Sequence, residues 1–246
     1  MINSDFELID LIIGYQPAAV ITAGLRVGLF DALGEEARTT GDLAAELGVD
    51  APTLGALLDT LEALGLATRS VDGFGTTPFV TRRLARGGEL GSVVEKEAFF
   101  ARAWQELEMV VRTGHPVVET WRERLSHEPE TARSFLVALD ALARVSGPPL
   151  AELSELAPDR GVVDVGGGLG SYTRRLVEAG SEVVLVDLPP VIPWAKETLA
   201  DLGDAVRFIG ADVFEHPSVG VEPESMDAAL VSHVLHDLNE SRSVDL

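Results

Sequence analysis

Apolar residues recur along this chain with two different periods, and the change of period divides it. Leu8, Leu11, Ile12 and Tyr15 fall at helical spacing, and the stretch from Val20 to Leu33 continues as a second apolar helix. Thr40 to Leu47 predicts a short helix, with Thr40 as its N-cap and Gly48 as its C-cap. Asp50 then caps a helix with Pro52 in its first turn and Leu54, Leu57, Leu58, Leu61 and Leu64 on one stripe. Past Gly65, two short runs flank VDGFG, where Asp72-Gly73 signals a hairpin. Helix, turn, helix and hairpin together predict a winged helix. A further helical pattern opens at Ser92, runs through Phe99, Ala103, Leu107 and Val111, and ends near Gly114-His115-Pro116. Another spans about Pro129 to Val145, and Gly147-Pro148-Pro149 breaks it. From about residue 158 the character changes. VVDVGGG, EVVLVDLPP, VRFIGADVF and DAALVSHVLHD are short apolar runs separated by helical patterns, which predicts a parallel sheet of βαβ units.

Composition narrows the function classes. At 246 residues the chain is one large domain or two ordinary ones, and 46% hydrophobic residues suffice for a sizeable core. With no cysteine, disulfides and thiolate metal sites are ruled out, and no cluster of metal ligands stands out in the sequence. The start, MINSDFELID, lacks the features of a signal peptide, and no apolar run approaches the roughly 20 residues that span a bilayer. A soluble, cytoplasmic protein without membrane partners is expected. The formal charge of −21 repels nucleic acid. The second helix of the winged-helix pattern carries Asp59 and Glu62 and no Lys or Arg, whereas a recognition helix needs cations. Dimerisation or packing is therefore the expected use of that module, and no nucleic-acid partner is expected.

The stretch VVDVGGGLGSYTRRL, Val162 to Leu176, carries the candidate chemistry. Its glycine turn leads from a strand straight into a helix beginning near Ser171, where backbone can approach a ligand closely and the helix start offers N–H groups. Gly166, Gly168 and Gly170 form G-x-G-x-G, and Ser171 stands where the dinucleotide fingerprint needs glycine or alanine. Asp187 ends the second strand, where an acid can take both ribose hydroxyls. Asp212 follows the third, placed to accept from an exocyclic amine such as adenine's, with Val213 beside it counted among the cofactor contacts. Arg174 and Arg175, the only nearby cations, lie inside the helix, so nothing awaits a diphosphate. Ribose and adenine without phosphate describe S-adenosylmethionine.

DVGGGLG, DLPPVI, GADVF and SHVLHDL, in this order and spacing, resemble the caffeate-type small-molecule O-methyltransferases, most of all bacterial members that decorate polyketides and other natural products. WQELEMVVRTGHP, Trp104 to Pro116, is similar to that family's interdomain helix. The resemblance implies a Rossmann-like class I methyltransferase sheet (its first four strands, hence incomplete), preceded by a winged-helix dimerisation domain that is all-helical but for its hairpin. The implied domains are 1–91 for dimerisation, 92–157 for a helical linker and substrate-pocket region, and 158–246 for the N-terminal part of the S-adenosylmethionine-binding domain. It also implies a homodimer and a phenolic or polyketide-like substrate. Trp104, Trp121, Phe99 and Phe100 are either core aromatics or the lining of an apolar pocket, and Trp104 is the candidate substrate contact.

The family's general base is a histidine just past the fourth strand, and His236 matches it. Full transfer of a phenol proton to a histidine, from a pKa of about 10 to about 6.5, costs roughly 5 kcal/mol. That is tolerable if transfer accompanies methylation. In-line positioning of oxygen and methyl is worth about 7–11 kcal/mol. Asp237 either orients substrate or histidine, or caps the following helix. His233 points opposite to His236 by strand alternation and is expected to be packed, while His115, His127 and His216 read as solvated loop residues. Two positions depart from the family: Ser232-His233 replaces Lys-Trp, and Leu238 replaces Trp after the His-Asp pair. Relatives continue past SRSVDL with three more strands, roughly 60–80 residues. A fragment is therefore expected, with a split subunit or an inactive truncated homologue as alternatives. Two other functions stay open: a relative that keeps bound S-adenosylmethionine while hydroxylating or decarboxylating, and a non-enzymatic sensor that binds DNA.

Overall fold

The computed structural model describes residues 1–150, 159–215, 220–222, 224–235 and 240–245. It divides into two compact units, Met1–Val118 and Glu119–Leu246, so the helical segment read over 92–157 is shared between them.

The first unit comprises helices α1 (Asp5–Ile13), α2 (Gln16–Arg26), α3 (Leu29–Ala32), α4 (Thr40–Leu47) and α5 (Ala51–Ala63), a hairpin of β1 (Thr68–Ser70) and β2 (Gly73–Gly75), then α6 (Pro78–Leu84), α7 (Gly91–Trp104) and α8 (Leu107–Thr113). Its core gathers Leu29, Phe30, Leu33, Leu43, Leu54, Leu58, Leu61, Phe74, Val80 and Leu84. The stripe on α5 buries Leu54, Leu58 and Leu61, while Leu64 is exposed at the C-cap. Asp50 caps α5 by accepting the Thr53 N–H, and Gly48 closes α4 in the left-handed conformation.

Local expectations shift by a residue in two places. Thr39, not Thr40, is the N-cap of α4; its hydroxyl accepts the Asp42 N–H at 3.1 Å. The hairpin turns on Val71 and Asp72, since Ser70 pairs with Gly73. Gly73 instead opens β2 at φ 131°, because Arg38 exchanges both backbone hydrogen bonds with Phe74 and a Cβ on Gly73 would strike the Arg38 carbonyl. The pattern read as one helix from Ser92 to Gly114 breaks at Gln105–Glu106 into α7 and α8.

A larger correction concerns the N-terminus. Helices α1 and α2 together, Asp5–Arg26, are long and apolar enough to cross a membrane by length and composition alone, an 18-residue window having mean hydropathy 1.5 and 6% of it buried. In sequence the apolar run is broken by Asp10, Gly14 and Gln16, so it does not read as a continuous span. No residue of α1 is buried.

The second unit is α/β. Helices α9 (Trp121–His127) and α10 (Pro129–Ser146) precede β3 (Gly161–Val165), α11 (Ser171–Glu178), β4 (Glu182–Asp187), α12 (Ile192–Thr198), β5 (Val206–Gly210), β6 (Ala228–Val231) and α13 (Glu240–Asp245). The sheet order is β5-β4-β3-β6, all parallel. Val162, Leu176 and Val183 pack on one face and Val163, Val184 and Val186 on the other. Burial on both faces is why these strands read as continuous valine-rich runs. Among the described residues β6 pairs only with β3. Leu125 of α9 and Ala132 and Leu136 of α10 join Leu169 and Val191, so these helices pack beside the loops that leave β3 and β4.

Leu58 is fully buried at the centre of the first unit's core. Leu58→Ala is expected to cost about 2–5 kcal/mol, read as lost hydrogen-exchange protection along α4 and α5. Unchanged protection there would contradict the assigned core.

Candidate functional site

Three loops meet at the carboxyl ends of β3, β4 and β5, where open α/β sheets bind ligands. The turn after β3 folds over the neighbouring strand: the N–H groups of Gly166 and Gly167 both donate to the Val186 carbonyl, at 2.8 and 3.3 Å. Gly170 caps α11 at φ 87°, and a Cβ there would collide with Leu199. Gly168 also has a left-handed φ of 57°, but the nearest atom to a Cβ there would be Leu136 Cδ2 at 3.5 Å. A side chain at Gly168 would thus meet Leu136 at ordinary contact distance, whereas at Gly170 its absence relieves crowding.

Asp187 reaches into this turn from the end of β4. Its Oδ2 accepts the Gly168 N–H at 2.8 Å and its Oδ1 accepts the Leu188 N–H at 2.7 Å. Each carboxylate oxygen retains a second lone pair. Burial nonetheless raises the Asp187 pKa above the ordinary aspartate value, with the two backbone donors opposing the rise.

Asp164, near the end of β3, is 1% exposed beneath the turn. The Thr173 hydroxyl donates to its Oδ2 at 2.6 Å. Burial lifts its pKa from 3.8 to about 6; Thr173 pulls against this and the Asp187 charge adds to it. An acid in an otherwise apolar strand, VVDV, was the available signal.

Asp212 is 7% exposed after β5. Its Oδ1 accepts the Phe214 N–H at 3.0 Å, and its Oδ2 pairs with the guanidinium of Arg122 on α9. Nothing in the sequence pointed to Arg122. Val213 packs with the sheet-face cluster around Val163, Val184 and Val186. Arg174 is held by Asp201 at 2.7 Å and Arg175 by the carbonyls of Arg144 and Pro148, so both cations are engaged by other partners.

The structure therefore brings Gly166, Gly168, Gly170, Asp187 and Asp212 to one edge of the sheet. Trp104 belongs to the first unit and is 66% exposed, and Phe99 beside it is also exposed, so neither is core. Trp121 packs in the second unit against the cluster of Leu125, Leu136, Leu169 and Val191. His233 is exposed, not packed, because its φ of 56° ends the strand alternation just past β6. His236, Asp237, Leu238 and His216 lie outside the described residues.

A parallel α/β sheet with a glycine turn and acids at adjacent strand ends defines a nucleoside-binding class of fold. Residues 104–246 match the O-methyltransferase domain family, and the chain belongs to it. This family uses S-adenosylmethionine as methyl donor, and solved neighbours hold S-adenosylmethionine or S-adenosylhomocysteine. The chain is 27% identical to the phenazine O-methyltransferase of Lysobacter antibioticus, over 97% of this chain and 72% of that one. It is 29% identical to the O-demethylpuromycin O-methyltransferase of Streptomyces alboniger, over 98% and 66%. An O-methyltransferase family protein from Burkholderia thailandensis superposes with TM-score 0.83 at 26% identity, covering 99% of this chain and 74% of that one. The chain thus spans only 66–72% of the length of the two enzymes named first. Other matched relatives are N-methyltransferases.

Asp164 binds its proton more tightly in the folded than in the unfolded chain. Its contribution to stability is therefore full below about pH 4 and is lost as pH rises through about 6. Asp164→Asn should remove that slope and raise stability at neutral pH, by on the order of 3 kcal/mol at most. Urea unfolding at intervals from acid to neutral pH checks this. A wild-type stability that climbs over the same interval would contradict it.

Proposed function

We propose that this chain is the methyl-donor-binding part of an O-methyltransferase that acts on a hydroxyl of a phenolic or polyketide-like aromatic metabolite. The observation that carries the reading is the Asp187 carboxylate, fixed by the Gly168 and Leu188 N–H groups with lone pairs left for a ribose diol. The absence of a side chain at Gly168 lets a nucleoside approach the backbone there. Asp164 and Asp187 are buried acids of like charge, and a cationic group nearby would relieve both. A sulfonium suits that field, and a diphosphate does not.

When bound, S-adenosylmethionine supplies an electrophilic methyl group. The remaining work falls to this chain. Gly166, Gly168 and Gly170 keep the turn bare, Asp187 grips the ribose, and Asp212 with Val213 receives the adenine. His236 takes the proton of the acceptor hydroxyl as its oxygen attacks, and Asp237 orients histidine or substrate. An amine acceptor is the second reading, supported by N-methyltransferases among the relatives.

The first unit is proposed to be a winged-helix dimerisation module. Exposed apolar residues on α1, among them Phe6, Leu11 and Ile12, support a homodimer over a nucleic-acid partner. A cytoplasmic location fits a biosynthetic enzyme of this family.

Asp187→Ala should weaken S-adenosylhomocysteine binding at least ~10-fold by calorimetry, since two hydrogen bonds to a charged group are lost. His236→Ala, assayed in a full-length form with phenolic acceptors, should lose at least ~10²-fold in turnover while binding is kept. Undiminished binding in the first variant would sink the cofactor assignment, and undiminished turnover in the second would remove the base. Sedimentation should find a dimer that Leu11→Asp with Ile12→Asp converts to monomer; a monomeric wild type would refute the dimer.

A further inference from the structure

We propose that Arg122 is a latch on the adenine end of the donor site: its guanidinium holds the buried carboxylate of Asp212 and must release it before an exocyclic amine can bind there. This rests on the reading of Asp212 as the adenine contact.

Asp212 has two oxygens with different surroundings. Oδ1 is turned inward and occupied by the Phe214 N–H at 3.0 Å. Oδ2 is shut off from solvent, and what stands against it is Arg122. A ligand amine therefore gains Oδ2 only at the expense of the guanidinium. The exchange is unequal, because the guanidinium brings a full opposite charge to the carboxylate, whereas the amine brings only a neutral donor.

The surroundings fit a side chain that moves on a helix that stays. Trp121 and Leu125, on either side of Arg122, are packed into the cluster with Leu136, Leu169 and Val191, which anchors α9. The Arg122 side chain itself is 47% exposed, against 8% for Asp212, so it can leave towards water without disturbing that packing. Glu215, exposed three residues beyond Asp212, already acts on the Arg122 charge and offers it a partner once it has swung out. Arg122 thus has a closed position on Asp212 and an open one near Glu215, and only the open one exposes the carboxylate. The apparent affinity falls by the fraction of time the latch is open.

The test uses 5′-methylthioadenosine and S-adenosylhomocysteine, neither of which carries net charge, titrated into the 246-residue chain by calorimetry. Arg122→Gln should bind both about tenfold more tightly than wild type if the latch is closed about nine-tenths of the time. Raising salt from about 0.05 to about 0.5 M should tighten wild-type binding and leave the variant unmoved. Without ligand, Arg122→Gln and Asp212→Asn should each lower the melting temperature, and the double variant should show no further loss. Added ligand should then raise the melting temperature of Arg122→Gln more than that of wild type. Arg122→Lys guards against a folding artefact; it keeps the charge and should bind between the two. Equal or weaker binding by Arg122→Gln, with Asp212→Ala still impaired, overturns the latch and leaves the adenine assignment standing. Wild-type affinity in Asp212→Ala overturns both.

Discussion

The site depends on one carboxylate held in one place. Asp187 sits at the end of β4 because β3 and β4 pair in parallel register, Val165 beside Val186, which brings the turn after β3 level with the last residue of the neighbouring strand. The Val186 carbonyl draws in the N–H groups of Gly166 and Gly167, and the next free donor, that of Gly168, then lands on Asp187. A side chain on Gly170 would drive α11 off Leu199, and the turn would lose both its reach and its height above the strand. Backbone geometry and acid position are therefore a single constraint: neither is meaningful without the sheet, and the sheet has no other reason to end this way.

Much of this was legible because it is local. The strands announced themselves as apolar runs, the glycine turn by its spacing, and Asp187 and Asp212 by standing where such runs end. Caps were legible to within a residue; Thr39 displaced Thr40 because both are threonines, and only the extended φ/ψ of Thr39 decides between them. What escaped was non-local. The burial of Asp164 comes from strands on both sides and a helix above, none of which its neighbours in sequence reveal. Arg122 and Asp212 lie on different elements of the second unit and meet only once the sheet has formed. The exposure of α1 and of Trp104 also escaped, since an apolar residue reads alike whether it faces a core or an open surface.

The first unit shows the same distinction between pattern and use. Asp59 and Glu62 on α5 look like a purely acidic face in sequence, yet Arg69 of the hairpin pairs with both and lies over the Phe74 ring at 4.3 Å. The acids thus tie β1 to α5. α5 itself carries no cationic residue for phosphates.

Electrostatics explain why the second unit tolerates an arrangement that costs it stability. Two buried acids on adjacent strands, one lifted to about pKa 6, oppose folding at neutral pH, and apolar replacements would pack more cheaply. The nearby arginines could have neutralised them, but Arg174 and Arg175 are engaged with Asp201 and with helix-end carbonyls instead. The negative field is thereby kept for a ligand. A field of this sign favours a cation over a neutral group of the same shape, the discrimination that the proposed sulfonium donor would require.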